Sequence, residues 1–334
     1  MTLYIKRITK VQQRVAVALL ICCTFFSCKD DSLKRPSEGQ VNEVNIIISD
    51  VLWNGSVGDS LRKKFASPVE GLVQEEPIFT LNQYHEQTFD VDIKRGRNVI
   101  FVEKGAGKSL DYQYKKDAYS KPQNIFYITG KNTAELQKAI QMYSDDVIRT
   151  IHQSEMAICQ KQNIETGLRD STYIKNNFGL SLKIPVTYRT AIKTQNFLWL
   201  KKEIQGGNTS LLLYRVPVET VEKNRDLVNN IVHMRDSVGG LYIHGRIADT
   251  YMITEQSYAP SLFMTGFKDH HALETRGNWE MKNDFMNGPF INFCIRDTKN
   301  NCYLVIEGFI YSPSSPKRDL LLELEAIIRS AKFI

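Results

Sequence analysis

The feature that most restricts the fold is a pair of apolar runs near the C-terminus, "PFINFCIRD" (289–297) and "CYLVIEGFIY" (302–311), joined by a short polar stretch. Runs of this composition on either side of Thr-Lys-Asn-Asn read as an antiparallel hairpin. A two-residue loop at Lys299 and Asn300 sets Cys294 opposite Val305 and Cys302 opposite Asp297. Side chains alternate along a strand, so the two sulfurs point to opposite faces and no disulfide joins them. The second run is apolar on both faces, which places it centrally in its sheet.

The rest of the second half extends this pattern. "GLSLKIPVTYRTAIKTQNFLWLKKE" reads as strands broken by a turn at Pro185, and "SLLLYRVPV" as another strand. Leu227, Val228, Ile231, Met234 and Arg235 mark a helix by their spacing. Strands return at "YMITE", "LFMTGF" and "LETRGNWEM". A last helix starts at Pro316 and turns Leu320, Leu324, Ile327, Ile328 and Ala331 inward. In the first half, "VNIIIS", "NVIFVEK", "LDYQYKK" and "NIFYITG" read as strands. Ser56 and Asp59 stand in capping-box spacing. Asn132 caps a helix carrying Leu136, Ile140, Tyr143, Val147 and Ile151, expected to run to about Lys161. The chain is therefore expected to be α+β, with two domains (44–167, N-terminal α/β; 168–334, C-terminal α+β) of largely antiparallel sheets flanked by helices. The order of elements in the C-terminal half, ending in "SAKF", resembles the PsbP/Mog1-like arrangement, which implies a fold and no function.

The N-terminus has a different character. Lys6, Arg7, Lys10 and Arg14 precede the apolar run Val15–Phe26, too short to span a bilayer comfortably and of signal-peptide length. Ser27 is small and precedes Cys28. The stretch resembles a bacterial lipobox, with Phe25 where Leu is usual. Residues 1–27 are thus expected to be a lipoprotein signal peptide, Cys28 the lipidated residue, and 28–43 a flexible tether. Lys29, Asp30 and Asp31 resemble the surface-export signal of Bacteroidetes-type lipoproteins, an address read by a receptor.

Composition excludes several classes. The formal charge is +6, but the four leader cations reduce the mature chain to about +2, which lacks the basic footprint of a nucleic-acid binder. Cys159, Cys294 and Cys302 remain after processing and are expected as inert thiols. "EKGAGKS" lacks the first glycine of a phosphate loop, since Val102 holds that place, and a strand follows it. It is read as a glycine-rich hairpin turn, and no nucleotide is expected. "NGSVG" has Asn54 where a nucleophile elbow needs glycine, so Ser56 is read as a helix cap. The histidines lack zinc spacing, and no metal or other cofactor is expected.

Two stretches are candidate binding surfaces. "ETRGNWEMKNDFMNGPF" holds Arg276, Trp279, Asp284 and Phe285 between strands. In "SDVLWNGSVG", Asp50 and Trp53 lie where a strand meets a helix. The opposing possibility is that Trp279 packs over the sheet while Arg276 pairs with Glu274 or Glu280. Asp-Ser followed by an aliphatic residue or Thr, as at Ser32 and Ser171, resembles an O-glycosylation acceptor of exported Bacteroidetes-type proteins. Long stretches, among them "DVLWNGSVGDSLRKKF", "FGLSLKIPVTYR", "MRDS" and "VIEGFIYSPSSPKRDLLLELEAIIRSAKF", resemble an uncharacterised family of Bacteroidetes-type lipoproteins, a domain of unknown function. That resemblance supplies no catalytic residue. The expectation is a lipid-anchored outer-membrane protein, exposed at the surface or on the periplasmic face. It would be a binding or assembly module for an envelope protein or glycan. The alternative is an envelope hydrolase using carboxylates and Arg276.

Overall fold

The computed structural model describes residues 34–89 and 91–334. Cys28, Lys29, Asp30, Asp31, Ser32 and the leader lie outside the described residues.

The first unit holds β1 (Glu43–Ile47), α1 (Asp50–Trp53), α2 (Ser56–Phe65), β2 (Thr80–Tyr84), α3 (Val91–Lys94), β3 (Asn98–Lys104), β4 (Asp111–Lys116), β5 (Asn124–Gly130) and α4 (Thr133–Glu165). Its sheet runs β2-β1-β3-β5-β4. Here the antiparallel expectation fails. β1 pairs parallel with β2 and β3, and β3 with β5, leaving only β4–β5 antiparallel. The cause is burial on both sides: Val44, Ile46 and Ile47, and Val99 to Val102, are inaccessible or nearly so. Helices α2 and α4 cover one face and α3 the other, and continuous apolar runs are what a covered parallel sheet requires. The "EKGAGKS" loop is likewise no hairpin turn. β3 and β4 flank β5 on opposite sides, so the loop carries the chain across β5.

Local details explain the helices. Asn132 Oδ1 accepts from the Glu135 N–H at 2.9 Å, and Glu135 Oε2 accepts from the Lys131 N–H at 2.9 Å, a reciprocal pair at the start of α4. The helix runs past Lys161 to Glu165; before that end, Cys159 lies against Leu322 and Ala326 of the second unit, and Gln160 donates to the Ala326 carbonyl. Ser56 is not a cap. Gly55 holds that place in extended geometry, and α2 begins at Ser56. Gly58 is required, because a Cβ there would meet the Trp53 carbonyl oxygen at 1.8 Å. The tether also ends earlier than residue 43. Pro36 bridges to Lys121 and Glu38 to Gly96, pinning this segment to the first unit.

The second unit holds α5 (Thr172–Phe178), β6 (Leu180–Ser181), β7 (Arg189–Lys193), β8 (Phe197–Ile204), β9 (Gly207–Pro217), α6 (Val218–Glu222), α7 (Leu227–Tyr242), β10 (Met252–Thr254), β11 (Ser261–Phe267), β12 (His270–Met281), β13 (Asn287–Asp297), β14 (Cys302–Tyr311), α8 (Arg318–Arg329) and β15 (Lys332–Phe333). An antiparallel sheet runs β10-β12-β13-β14-β9-β8-β7, with β11 also on β12. β14 lies centrally, and the hairpin register places Cys294 opposite Val305 and Cys302 opposite Asp297. All three described cysteines are free thiols.

One sheet face packs on α5 and α8. The other packs on α7. The two units meet on the first of these faces. Glu76 of the first unit accepts the N–H groups of Lys317 (2.8 Å) and Arg318 (2.9 Å), satisfying free donors at the start of α8.

Candidate functional site

Alternation along β12 decides the layout. Glu274, Arg276, Asn278 and Glu280 share one face, while Leu273, Trp279 and Met281 share the other. The stretch that reads as a single surface is thereby split between two sides of the sheet.

On the first face Arg276 is consumed by structure. Its Nε donates to Glu274 Oε1 (2.7 Å) and its Nη2 to Glu325 Oε2 (2.8 Å). Arg329 closes the ring, with Nη2 on Glu274 Oε2 and Nε on Glu325 Oε1, both at 2.7 Å. His152 of α4 approaches Glu325 at 3.4 Å, so the ring ties β12 and α8 to the first unit. Burial by itself would push the Glu325 carboxyl up, but Arg276, His152 and Arg329 together hold it well below the usual range. Burial also opposes the Arg276 charge, and Glu325 and Glu274 overcome it.

Trp279 is buried on the second face, and its Nε1 donates to the Ile310 carbonyl at 3.0 Å. It belongs to a wall of rings: Trp279 to Phe309 at 5.4 Å, Trp279 to Tyr311 at 6.5 Å, and Trp199 to Phe309 at 6.3 Å between centroids. The wall floors a cleft of about 800 Å³ beyond the end of α7. The Ile243–Ile247 segment and the β8–β9 turn flank it, and Asp284 and Met286 close one side. Its rim carries Lys201 and Glu203, paired at 2.9 Å, with His244, Arg246 and Asp284. Planar apolar groups beside charged and hydrogen-bonding groups suit an amphipathic ligand.

Phe285, 99% exposed, projects to the other side and lines a crevice of about 420 Å³ between Leu72–Gln74 of the first unit and the sheet. Glu255 and Glu280 also line it. Burial raises the Glu280 carboxyl, and Glu255 adds to the rise. Asp50 and Trp53 are separate from both cavities. Asp50 accepts from Gln83 Nε2 at 2.9 Å, and Trp53 lies under the Arg62 guanidinium.

A second closed network sits beneath α7. Glu307 accepts from Arg235 Nη2 (2.7 Å) and Nε (2.9 Å) and from Asn292 Nδ2 (2.7 Å). The guanidinium also lies 3.3 Å from the Phe290 ring centroid. Glu307 went unremarked in the sequence, yet an acid inside a central strand apolar on both faces must find a buried partner. That was the available signal. Burial raises the neighbouring Tyr214 hydroxyl and Cys294 thiol, and the Glu307 charge adds to both. Cys294 is thereby kept as an unreactive thiol. Among the described residues, no three His, Cys, Asp or Glu side chains gather as a metal site.

Fold and cavities define a two-unit α+β protein with a ligand-sized cleft on its antiparallel sheet. Residues 37–164 match the family model of one domain of unknown function, DUF8532, and residues 168–330 that of another, DUF4837. No curated protein matches. Among solved structures the chain is similar to the Ran-binding protein Mog1p of Saccharomyces cerevisiae. That similarity has 11% identity and a TM-score of 0.32, over 46% of this chain and 90% of that one. A point mutant of protein Mog1 is similar at 11% identity and TM-score 0.31, over 47% and 91%.

Proposed function

We propose that the chain is a lipid-anchored protein of the outer envelope, held by Cys28, whose second unit binds an envelope glycan or peptide in the Trp199–Trp279–Tyr311 cleft. Support for the anchor comes from sequence: a basic leader, an apolar run, and Ser27 before Cys28. Lys29, Asp30 and Asp31 support delivery to the surface, with the periplasmic face as the alternative. Residues 1–27 would be removed on export, and residues after Cys28 would join the anchor to the two domains, 44–167 and 168–334.

The observation that carries the binding reading is a contrast. The aromatic wall is open at its rim, whereas Glu325, Arg276 and Cys294, three groups with strongly perturbed protonation, are engaged in buried networks. A catalytic centre gathers such groups in its pocket. Replacing Cys28 with Ala should move the protein from the membrane to the soluble fraction. Unchanged fractionation contradicts the anchor.

One observation favours a hydrolase instead: the raised carboxyl of Glu280 beside Glu255 in the smaller crevice, as a general acid needs. That site would not employ Arg276, which its ring of carboxylates occupies. Hydrolysis of envelope glycans or esters abolished by Glu280→Gln would establish it.

A further inference from the structure

The crevice between Leu72–Gln74 and the sheet gathers oxygen donors from three neighbouring strands. Glu280 of β12 stands opposite Ile253 of β10 on one side and Asn287 of β13 on the other. The Glu255 N–H donates to the Asn278 carbonyl at 2.9 Å, so Glu255 lies across from Asn278. Alternation then sets Glu255, Asn278, Glu280 and Asn287 on one face of the sheet. Side chains directly opposite stand about 5 Å apart at Cβ and diagonal ones about 7 Å, within reach of two glutamates. All four residues line the crevice.

Their polar groups are poorly satisfied by the protein. Asn278 is only 7% exposed, yet among the described residues its side-chain amide makes no hydrogen bond. Glu255 Oε1 accepts from the Ser257 N–H at 2.7 Å, while its Oε2 is buried with no partner. The Glu280 carboxylate and the Asn287 amide likewise make no hydrogen bond among the described residues. Burying an amide or a carboxylate oxygen without a partner costs free energy, and a ligand that satisfies it removes that cost.

The basic groups nearby are directed elsewhere. Arg276, two residues before Asn278, is closed in its ring with Glu274 and Glu325. Lys282 Nζ donates to the Tyr251 hydroxyl at 2.8 Å. Lys317 lines the crevice, but its Nζ donates to the Ser315 carbonyl at 3.1 Å and to Gln74 Oε1 at 3.4 Å. Neither Glu255 nor Glu280 is in an ion pair among the described residues. Two carboxylates against the single ammonium of Lys317 leave the lining with a net charge of −1. Burial, and then the charge of Glu255, raise the Glu280 carboxyl, the response of an acid whose neighbour is another acid.

We propose that Glu255, Asn278 and Glu280, with Asn287 at the rim, hold a calcium ion where the first unit meets the sheet. Every donor is an oxygen, which selects a hard cation. Carboxylate and amide oxygens in an open crevice suit the flexible coordination of calcium better than the strict octahedron of magnesium. Histidine spacing gives no sign of such a site, because calcium does not use imidazole. An ion held by Glu280 keeps that carboxylate charged, so this role and that of a general acid exclude each other. Neither the aromatic cleft nor the lipid anchor enters the inference.

The test is calorimetric titration of calcium chloride into the chelator-treated mature chain from residue 28, carrying Cys28→Ala, at constant ionic strength. One ion per chain should bind, with a Kd on the order of 10⁻⁴ M. Glu255→Gln and Glu280→Gln should each weaken binding about tenfold or more, since each removes a charged ligand. Asn287→Ala, at an exposed position where folding is not at stake, should weaken it about threefold. Calcium should raise the Tm of the parent and leave that of Glu280→Gln unchanged. Circular dichroism should show all three variants folded. No saturable binding up to about 10 mM calcium, or parent-like binding by both glutamine variants, overturns the proposal. Magnesium bound as tightly as calcium overturns the choice of ion. Failure here leaves the cleft and the anchor standing, since Trp199→Ala and Cys28→Ala test those separately.

Discussion

The two faces of the large antiparallel sheet are built from the same strands and differ in how completely they are covered. On the face toward α8 and the first unit, charges are locked: Arg276, Glu274, Arg329 and Glu325 form a closed ring, and Glu76 caps α8. On the face toward α7, covering stops short, and the rings of Trp199, Trp279, Phe309 and Tyr311 floor an open cleft. The closed ring marks the joint between units; on the other face Arg235 and Glu307 are likewise closed off beneath α7, and the aromatic floor beyond the helix marks the candidate ligand site. A cluster of perturbed groups does not by itself locate function, because structural ion pairs perturb protonation too.

The comparison breaks most readily at Arg276. Arg276→Ala leaves Glu274 and Glu325 with less compensation in a buried setting, and should cost about 3–5 kcal/mol in urea unfolding. A loss below about 1 kcal/mol would mean that the ring does not hold the units together. Trp279→Ala should cost a similar amount, about 3–5 kcal/mol, because it empties a buried site on the other face. Trp199→Ala sharpens the contrast. This half-buried ring should lower stability by less than Trp279→Ala while weakening cleft binding at least tenfold, near the 1.4 kcal/mol that a modest binding anchor contributes.

Acid provides a finer comparison between two buried carboxylates. The folded Glu325 group titrates below its ordinary value of 4.5, so the unfolded chain binds more protons there. Its contribution is full above that value and falls away as pH drops below it. Glu155 acts in the reverse sense. Burial raises its carboxyl, and the charge of Arg97 and hydrogen bonds from Asn98 and Arg97 offset only part of the rise. Protonating Glu155 therefore relieves a cost as pH falls. In urea unfolding across mild acid, Glu155→Gln should lose stability more steeply than the parent chain. An equal slope would place the Glu155 shift elsewhere. The smallest effect belongs to Phe285→Ser, which should stay within about 0.5 kcal/mol of the parent because the ring has almost no packing to lose.

Much of this was legible in the sequence. The hairpin register came from one turn and strict alternation, and both cysteine partners agree with it. The Asn132 cap and the spacing of α4 were equally readable. Parallel pairing in the first unit departs from the antiparallel expectation, although "VNIII" and "NVIFV" carry the signal of strands covered on both faces. The candidate surface was only partly readable. Trp279, Asp284 and Phe285 do line cavities, but Arg276 belongs to the closed ring. Period-two alternation along β12 separates Arg276 from Trp279, and the partners Glu325 and Arg329 come from a helix about fifty residues later. Trp199, His244 and Arg246 were missed because the cleft assembles loops distant in sequence, for which local spacing gives no sign.

The most direct test of the central claim is affinity capture from the native envelope, with the mature wild-type protein and its Trp199→Ala variant in parallel and mass spectrometry of bound proteins and glycans. At least one glycan or protein should be enriched on the wild type and depleted about tenfold or more on the folded variant. The same species in the same amounts on both would contradict it.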